Sequence, residues 1–346
     1  MKVKNQTIDF RSDTVTLPSP KMQNAIFKAN VGDDVFGEDP SINELESYTS
    51  KLFKKDAGLF VPSGTQSNLI AIITHCERGD EFIVGQQAHN YKYEGGGAAI
   101  FGGIQPQPID QNKDGSIDIE KIQAYIKPLN DYHFTNTKLI SLENTFHGRI
   151  LPLSYVKSVY KFAQKKKLLL HLDGARIFNA ITEKKLNPSS YSQFFDSISI
   201  CFSKGLGSPA GSILLGKSKF ITRARRWRKV LGGGMRQSGI LASACLYALK
   251  NNVNRLKKDH IKAKKIYKKL KSTKYFVVDD LVPETNMVFF KLRTKKKQKE
   301  FFSFMKNAKI KFLENETIRL VTHLDISESN IDYFFKKLDE FESSVQ

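Results

Sequence analysis

At 346 residues the chain can bury a large core and form two domains, and no apolar run reaches the ~18 residues that a membrane span needs. The formal net charge of +20 comes from lysines scattered in pairs and triplets, such as Lys165-Lys166-Lys167 and Lys295-Lys296-Lys297, which read as solvated helix faces rather than a nucleic-acid site. Cys76, Cys201 and Cys245 are scattered and odd in number, so they make neither a metal spacing nor a disulfide framework; they read as small buried hydrophobes of a reducing cytoplasm.

The start of the chain, Met1-Lys2-Val3-Lys4-Asn5, carries no apolar signal region, and a cytoplasmic location is expected. Residues 1–20 read as an extended arm, with Arg11-Ser12-Asp13 placed where it could reach a site. A helix is expected over 21–30, then an acidic loop with two glycines over 31–40. A second helix is expected from Ser41, with Glu44 three residues on completing a capping box. After the apolar Leu59-Phe60-Val61, Ser63-Gly64-Thr65 opens another helix. Free backbone N–H groups and the helix dipole make such a start an anion site, here a phosphate cradle. His89 follows a short strand at 81–84, where a flat side chain could stack on a cofactor ring or act as a base. Further strands are expected at 104–109 and 138–144, with a capped helix from Asp118 between them.

Residues 168–173 form a near-continuous apolar run ending in Asp173, as in a strand covered on both faces of a parallel sheet. Asp173 then sits at the carboxyl end, where open α/β sheets bind ligands. Residues 197–202 alternate polar and apolar types and read as another strand, followed at once by Ser203-Lys204. A lysine just past a buried strand is placed to be a partly desolvated nucleophile for carbonyl chemistry. An acid and an amine at two strand ends suit pyridoxal phosphate. The amine forms a Schiff base, and the acid keeps the pyridine nitrogen protonated so that the ring is an electron sink. The strand–helix–strand order through Phe202 argues for an α/β parallel sheet.

A basic helix at 223–230 leads to the loop Gly232-Gly233-Gly234-Met235-Arg236, whose arginine could wrap a phosphate across a subunit boundary or be only part of a helix junction. An apolar helix covers 240–249. From 251 on, a Lys-rich helix and alternating short strands and helices make a smaller α+β unit. The expected division is therefore an arm (1–20), a large cofactor-binding domain (21–250) and a small C-terminal domain (251–346). Arg319 lies inside an apolar run and needs an anion, either a substrate carboxylate or a structural acid.

Arg11-Ser12-Asp13-Thr14-Val15-Thr16, Gly32-Asp33-Asp34-Val35, Asp173-Gly174-Ala175-Arg176, Ser203-Lys204-Gly205 and Gly232-Gly233-Gly234-Met235-Arg236-Gln237 stand in the order of one family's motifs. On them the chain resembles the threonine aldolases, pyridoxal-phosphate enzymes of fold type I in the β-eliminating-lyase group. The resemblance implies a large domain with a mostly parallel seven-stranded sheet and a smaller α+β domain. It implies that Lys204 carries the cofactor, Asp173 binds the pyridine nitrogen and His89 stacks on the ring. Ser63, Gly64, Thr65, Ser203 and Arg176 would surround the cofactor, with Arg236 reaching the phosphate from a neighbouring subunit. Ser12, Arg176 and Arg319 would hold the substrate carboxylate. The implied reaction is retro-aldol cleavage of L-threonine or L-allo-threonine to glycine and an aldehyde, in a cytoplasmic homotetramer built as a dimer of dimers.

Two positions depart from the family pattern. Phe146 follows Glu143-Asn144-Thr145 where a histidine is usual, with His147 one place later, and Phe36 stands where the acidic loop usually carries a tyrosine. Either His147 or His89 would then contact the substrate hydroxyl, or the pocket around Phe36 and Phe146 would be more apolar. The alternatives are cleavage of another β-hydroxy amino acid such as phenylserine, or β-elimination or racemisation on the same cofactor. A basic nucleic-acid-binding protein on a degenerate enzyme fold is the rival from another class, and the presence of both Lys204 and Asp173 stands against it.

Overall fold

The computed structural model describes residues 7–345, so the first six residues of the expected arm lie outside the described residues. The strands in chain order are β1 (Ile8–Asp9), β2 (Ala57–Val61), β3 (Asp80–Gly85), β4 (Gln105–Ile109), β5 (Asn136–Glu143), β6 (Leu169–Asp173), β7 (Ser197–Cys201), β8 (Ser212–Gly216), β9 (Phe276–Val278), β10 (Met287–Leu292), β11 (Ile310–Lys311) and β12 (Ile318–Val321). Seven of them form one sheet in the order β2-β8-β7-β6-β5-β3-β4. Only β8 runs against its neighbours; the β3–β4, β3–β5, β5–β6 and β6–β7 ladders are parallel.

Side chains of successive residues point to opposite faces of a strand, and both faces of this sheet are covered. Phe60, Ile213 and Leu215 enter the main core, with the helices Pro40–Leu52 and Leu153–Lys166. Leu59, Val61 and Leu214 enter a separate core on the other face, with the helices Gly64–His75 and Ser218–Val230. This is why β7 and β8 are buried along their whole length.

A second, antiparallel sheet has the order β12-β10-β9 and packs a phenylalanine-rich core against the helices Leu256–Lys271 and Glu328–Val345. β1 pairs in parallel with β11, and Ile8 and Phe10 enter this same core. The described part of the arm is therefore anchored on the smaller unit, and the chain leaves that anchor at Arg11 heading for Ser12 and Asp13.

Two helix starts differ from expectation. The helix Pro40–Leu52 is capped by Asp39, whose carboxylate accepts from the N–H groups of Ser41 and Ile42, both at 3.1 Å. Proline at the first helical position pre-sets the backbone one residue ahead of Ser41. Ser41 donates instead to the Asn30 carbonyl, and Glu44 pairs with Lys250, so no capping box forms. The helix Ile119–Tyr125 starts after Asp118, but the Asp118 carboxylate turns back to the Asn112 amide rather than capping. All three cysteines are buried and unpaired. No described helix is long and apolar enough to cross a membrane.

Candidate active site

β5, β6 and β7 run in parallel and in register, with Glu143 beside Asp173 and Asp173 beside Ser199. Their carboxyl ends therefore open on one place, the crevice where ligands bind in sheets of this kind. A cavity of about 170 Å³ lies there, and Gly64, Thr65, His89, Asp173, Ser203 and Lys204 line it. These residues come from four separate segments of the chain.

The helix Gly64–His75 starts at the cavity wall. The Ser63 hydroxyl is used as its cap, accepting from the Gln66 N–H at 3.2 Å. The first N–H groups, those of Gly64 and Thr65, have no intrahelical partner and face the crevice with the positive end of the helix dipole. A Cβ on Gly64 would lie 2.5 Å from the Cys201 sulfur, so only glycine lets the helix start this close to the end of β7. Gly174 is equally confined, since a Cβ there would lie 2.9 Å from the Ser199 carbonyl oxygen.

Asp173 is buried and both its oxygens accept hydrogen bonds, Oδ1 from the Ala175 N–H at 3.0 Å and Oδ2 from the Asn68 amide at 2.9 Å. His89 is half-exposed at the cavity edge. Its backbone N–H donates to Glu143 at 2.9 Å, and its Nδ1 lies 2.8 Å from Glu94 Oε1. The hydrogen bond to Glu94 raises His89 above its ordinary value. His89, Glu94 and Asp173 offer ligand atoms within 4.8 Å of one another, but the Asn68 amide donates to both carboxylates and binds them as a hydrogen-bonded cluster.

Glu143 is buried beside Asp173. Burial, and then the charge of Asp173, push its carboxyl up to about 7. A carboxyl raised in this way keeps a proton in the folded protein that the unfolded chain has already lost. Its contribution to stability is fully present below the ordinary 4.5 and is lost as the pH rises towards about 7. Glu143→Gln is expected to flatten that decline: the variant's Tm rises relative to the parent's across this window, measured on cofactor-free protein. Parallel curves would remove Glu143 as a proton-holding group.

A second cluster stands where the two sheets meet. Arg176 makes a two-pronged pair with Asp13, Nε to Oδ2 at 2.8 Å and Nη2 to Oδ1 at 2.6 Å. Burial works to raise Asp13, and the guanidinium more than offsets it, holding the carboxyl well below the usual range. Arg319 reaches the same region. Its Nη2 donates to the Arg11 carbonyl at 3.0 Å, while its buried Nε has no partner. Burial, and then the charge of Arg176, lower its affinity for its proton. An arginine with an orphaned buried donor beside a second arginine offers the kind of donor that a carboxylate accepts from. His147 sits between the edges of Phe146 and Phe289, at ring distances of 4.3 and 5.8 Å, and Phe289 is the strand partner of Arg319. Burial, then the charges of Arg319 and Arg176, push His147 below its ordinary value.

The remaining sequence candidates lie elsewhere. The Ser12 hydroxyl accepts from the Thr14 N–H at 3.2 Å and caps the short turn Asp13–Val15 beside Arg176. Arg236 is on the surface, 3.1 Å from Asp33. Phe36 is exposed, and Phe146 is buried against Gly115, where a Cβ would lie 2.5 Å from the Phe146 Cβ. Neither phenylalanine lines the cavity around Lys204. Sequence reasoning passed over Asn68 and Glu94. Asn68 lies one helical turn beyond Gly64, so it shares the helix face that opens on the crevice; nothing else in the sequence marks it.

The sequence pattern of the family described as β-eliminating lyase matches residues 9–295. The low-specificity L-threonine aldolase of Escherichia coli (strain K12) is 49% identical over 324 residues, covering 94% of this chain and 96% of that protein. The low-specificity L-threonine aldolase 1 of Arabidopsis thaliana is 40% identical over 340 residues, covering 95% and 94%. Among solved structures, a threonine aldolase from Leishmania major superposes with a TM-score of 0.82 at 19% identity, over 96% of this chain and 99% of that one. At that identity the superposition speaks for the fold alone, the fold-type-I α/β architecture expected from the sequence. With the lysine and the aspartate at adjacent strand ends and the family's pattern running through both, the chain belongs to the β-eliminating lyase family.

Proposed function

We propose that the protein is a pyridoxal-phosphate-dependent lyase that cleaves L-threonine or L-allo-threonine, and related β-hydroxy-α-amino acids, to glycine and an aldehyde. The observation that carries this reading is the sharing of one cavity by Lys204 and Asp173, in a chain 49% identical to the E. coli enzyme. The residues present fit the cofactor. A buried carboxylate with an amine in the same cavity, a helix start kept open by Gly64 and a flat imidazole at the edge match the amine, nitrogen, phosphate and ring contacts it needs. Lys204 would hold it covalently and Asp173 would bind its pyridine nitrogen. His89 would cover the ring, and Ser203 and the N–H groups of Gly64 and Thr65 would hold the phosphate. Bound there, pyridoxal phosphate supplies an electron sink for the pair released when the Cα–Cβ bond breaks.

The protein's part is to bind, orient and move one proton. Arg319, with its orphaned Nε, holds the substrate carboxylate, and Ser12 and Arg176 border it. Fixing the carboxylate would fix which bond at Cα is presented for cleavage, a positional effect. A histidine nitrogen then takes the β-hydroxyl proton. His147 suits this better than His89, because burial keeps it neutral while Glu94 favours the proton on His89. His147→Asn is expected to lower kcat on L-threonine by about 10²-fold with KM changed little. An unchanged kcat in a steady-state acetaldehyde assay would pass the role to another group.

A homotetramer, a dimer of dimers in which Arg236 reaches the phosphate of a neighbouring subunit, is part of the proposal. The exposure of Arg236 supports it; the ion pair with Asp33 of its own chain would open for that reach. A glycine-forming role follows from the proposed cleavage, and three buried, unpaired cysteines support a cytoplasmic location for it. The division into an arm (1–20), a large domain (21–250) and a small domain (251–346) is part of the proposal; two separate cores support the large and small domains, while Ile8 and Phe10 of the arm enter the smaller core and Leu256 enters the larger one. The substrate is tested by incubating the protein with L-threonine, L-allo-threonine and L-phenylserine and quantifying glycine and each aldehyde. Turnover of the threonine isomers is expected, and release of ammonia and a keto acid instead of glycine would replace the aldolase reading with β-elimination.

A further inference from the structure

Behind Asp173 a line of side chains runs from the cavity into the seam between the large sheet and the helix Gly64–His75. Asn68 Nδ2 donates to Asp173 Oδ2 and to Glu94 Oε1, both at 2.9 Å. Asn68 Oδ1 lies 3.1 Å from His171 Nε2. His171 Nδ1 lies 2.8 Å from the Ser197 hydroxyl, and that hydroxyl lies 2.7 Å from His75 Nε2. Asn68, His171 and Ser197 are buried, and His75 is pinned by its stack on Phe220.

Only one polarity satisfies every member. Two carboxylates face Asn68 from one side, so its amide nitrogen must point at them and its oxygen at His171. The oxygen accepts, so His171 carries its proton on Nε2 and accepts on Nδ1 from the Ser197 O–H. Having donated there, the Ser197 oxygen accepts from His75 Nε2–H. This needs both rings neutral, and burial pushes His171 down to about 4 and His75 down to about 3.

We propose that Asn68 and His171 are positioning residues: the Asn68 amide, held in one orientation by His171, fixes Asp173 for the pyridine nitrogen and ties it through Glu94 to His89 on the ring face. The inference rests on the cofactor reading above. One amide thereby aligns the in-plane contact and the stacking contact together, because Glu94 is shared by Asn68 and His89. The charged and titratable groups around Asp173 are His89 and Glu94 from the segment after β3, Glu143 from β5, His171 from β6, and Cys201 and Lys204 from β7 and its loop. Among these groups His171 alone bonds the Asn68 oxygen, so its N–H holds the far side of the amide while the two carboxylates hold the near side.

The test is the nitrogen-15 chemical shift of holoenzyme loaded with pyridoxal phosphate labelled at the ring nitrogen, with cofactor affinity measured alongside. The parent is expected to show a protonated ring nitrogen at neutral pH. His171→Leu is expected to move the shift towards the unprotonated value and to weaken cofactor binding about tenfold, as the Asn68 amide loses the donor on its oxygen and with it the alignment of its bond to Asp173. His171→Gln, whose amide can donate at the same place, is expected to restore both. Asn68→Asp, which swaps the donor for an acceptor in the same shape, is expected to shift the nitrogen further than His171→Leu. An unchanged nitrogen shift and affinity in His171→Leu, or no recovery in His171→Gln, overturns the proposal and marks the line as helix–sheet packing. Should His171→Leu fail to fold, Ser197→Ala decides: it frees the His171 tautomer, and an unchanged shift overturns the proposal. A parent protein that takes up no cofactor overturns the cofactor reading itself, a result distinct from any of these.

Discussion

Lys204→Ala is expected to abolish the visible band of the lysine-linked cofactor, leaving only that of the unlinked aldehyde, and to lower kcat/KM for L-threonine on the order of 10⁴-fold or more. The reason is geometric. Among the residues lining the cavity, Lys204 alone offers a primary amine, so its removal leaves no group there to attach a carbonyl. The helix start at Gly64 and Thr65 and the carboxylate of Asp173 remain, so the variant should still take up the cofactor without a covalent bond. Lys204 lies in the loop after β7, outside the sheet, and its side chain supports no described packing core. The fold should therefore survive, checked by circular dichroism and Tm. A variant with the parent's spectrum would place the covalent bond on another lysine.

Asp173→Asn is the second large effect expected, a loss of about 10³-fold in kcat with the fold retained. An asparagine keeps the shape and can still accept from the Ala175 N–H with its oxygen. Its nitrogen then faces the Asn68 amide, donor against donor, and it carries no charge for the pyridine nitrogen. The electron sink weakens because nothing stabilises the protonated ring. Reconstitution with an N-methylated analogue separates charge from structure, since that nitrogen is cationic without a partner. Recovery of activity in Asp173→Asn with the analogue would confirm an electrostatic role. No recovery would mean that the aspartate acts by holding the surrounding hydrogen bonds.

The residues that were legible in the sequence sit at strand ends. Asp173 closes an apolar run and Lys204 follows an alternating strand, and a parallel sheet brings such positions to one edge whatever the rest of the chain does. The Asp13–Arg176 pair was half visible. Both residues stand in motifs, but their meeting depends on β1 docking beside β11, a contact across the two ends of the chain that no local pattern announces. The line from Asn68 through His171 to His75 was invisible for the same reason. His171 reads as one polar residue in an apolar strand, and Asn68 as one in an apolar helix, until the helix packs on the sheet and each supplies what the other lacks. Phe36 and Phe146 were legible as departures from a pattern and not as positions, because where a side chain in a loop points is set by its neighbours; Phe146 rests on Gly115. Local capping rules misled at two helix starts: Asp39-Pro40 starts one helix before Ser41 can cap it, and Asp118 accepts from Asn112 instead of capping the other.

The most direct test of the central claim is the visible spectrum of the purified protein with pyridoxal phosphate, repeated after glycine and then L-threonine, with acetaldehyde assayed in the same cuvette. The account predicts a cofactor band that changes on adding glycine, and acetaldehyde formed in step with L-threonine consumed. A protein that shows no cofactor band, or a band with no aldehyde from any β-hydroxy-α-amino acid, would contradict it.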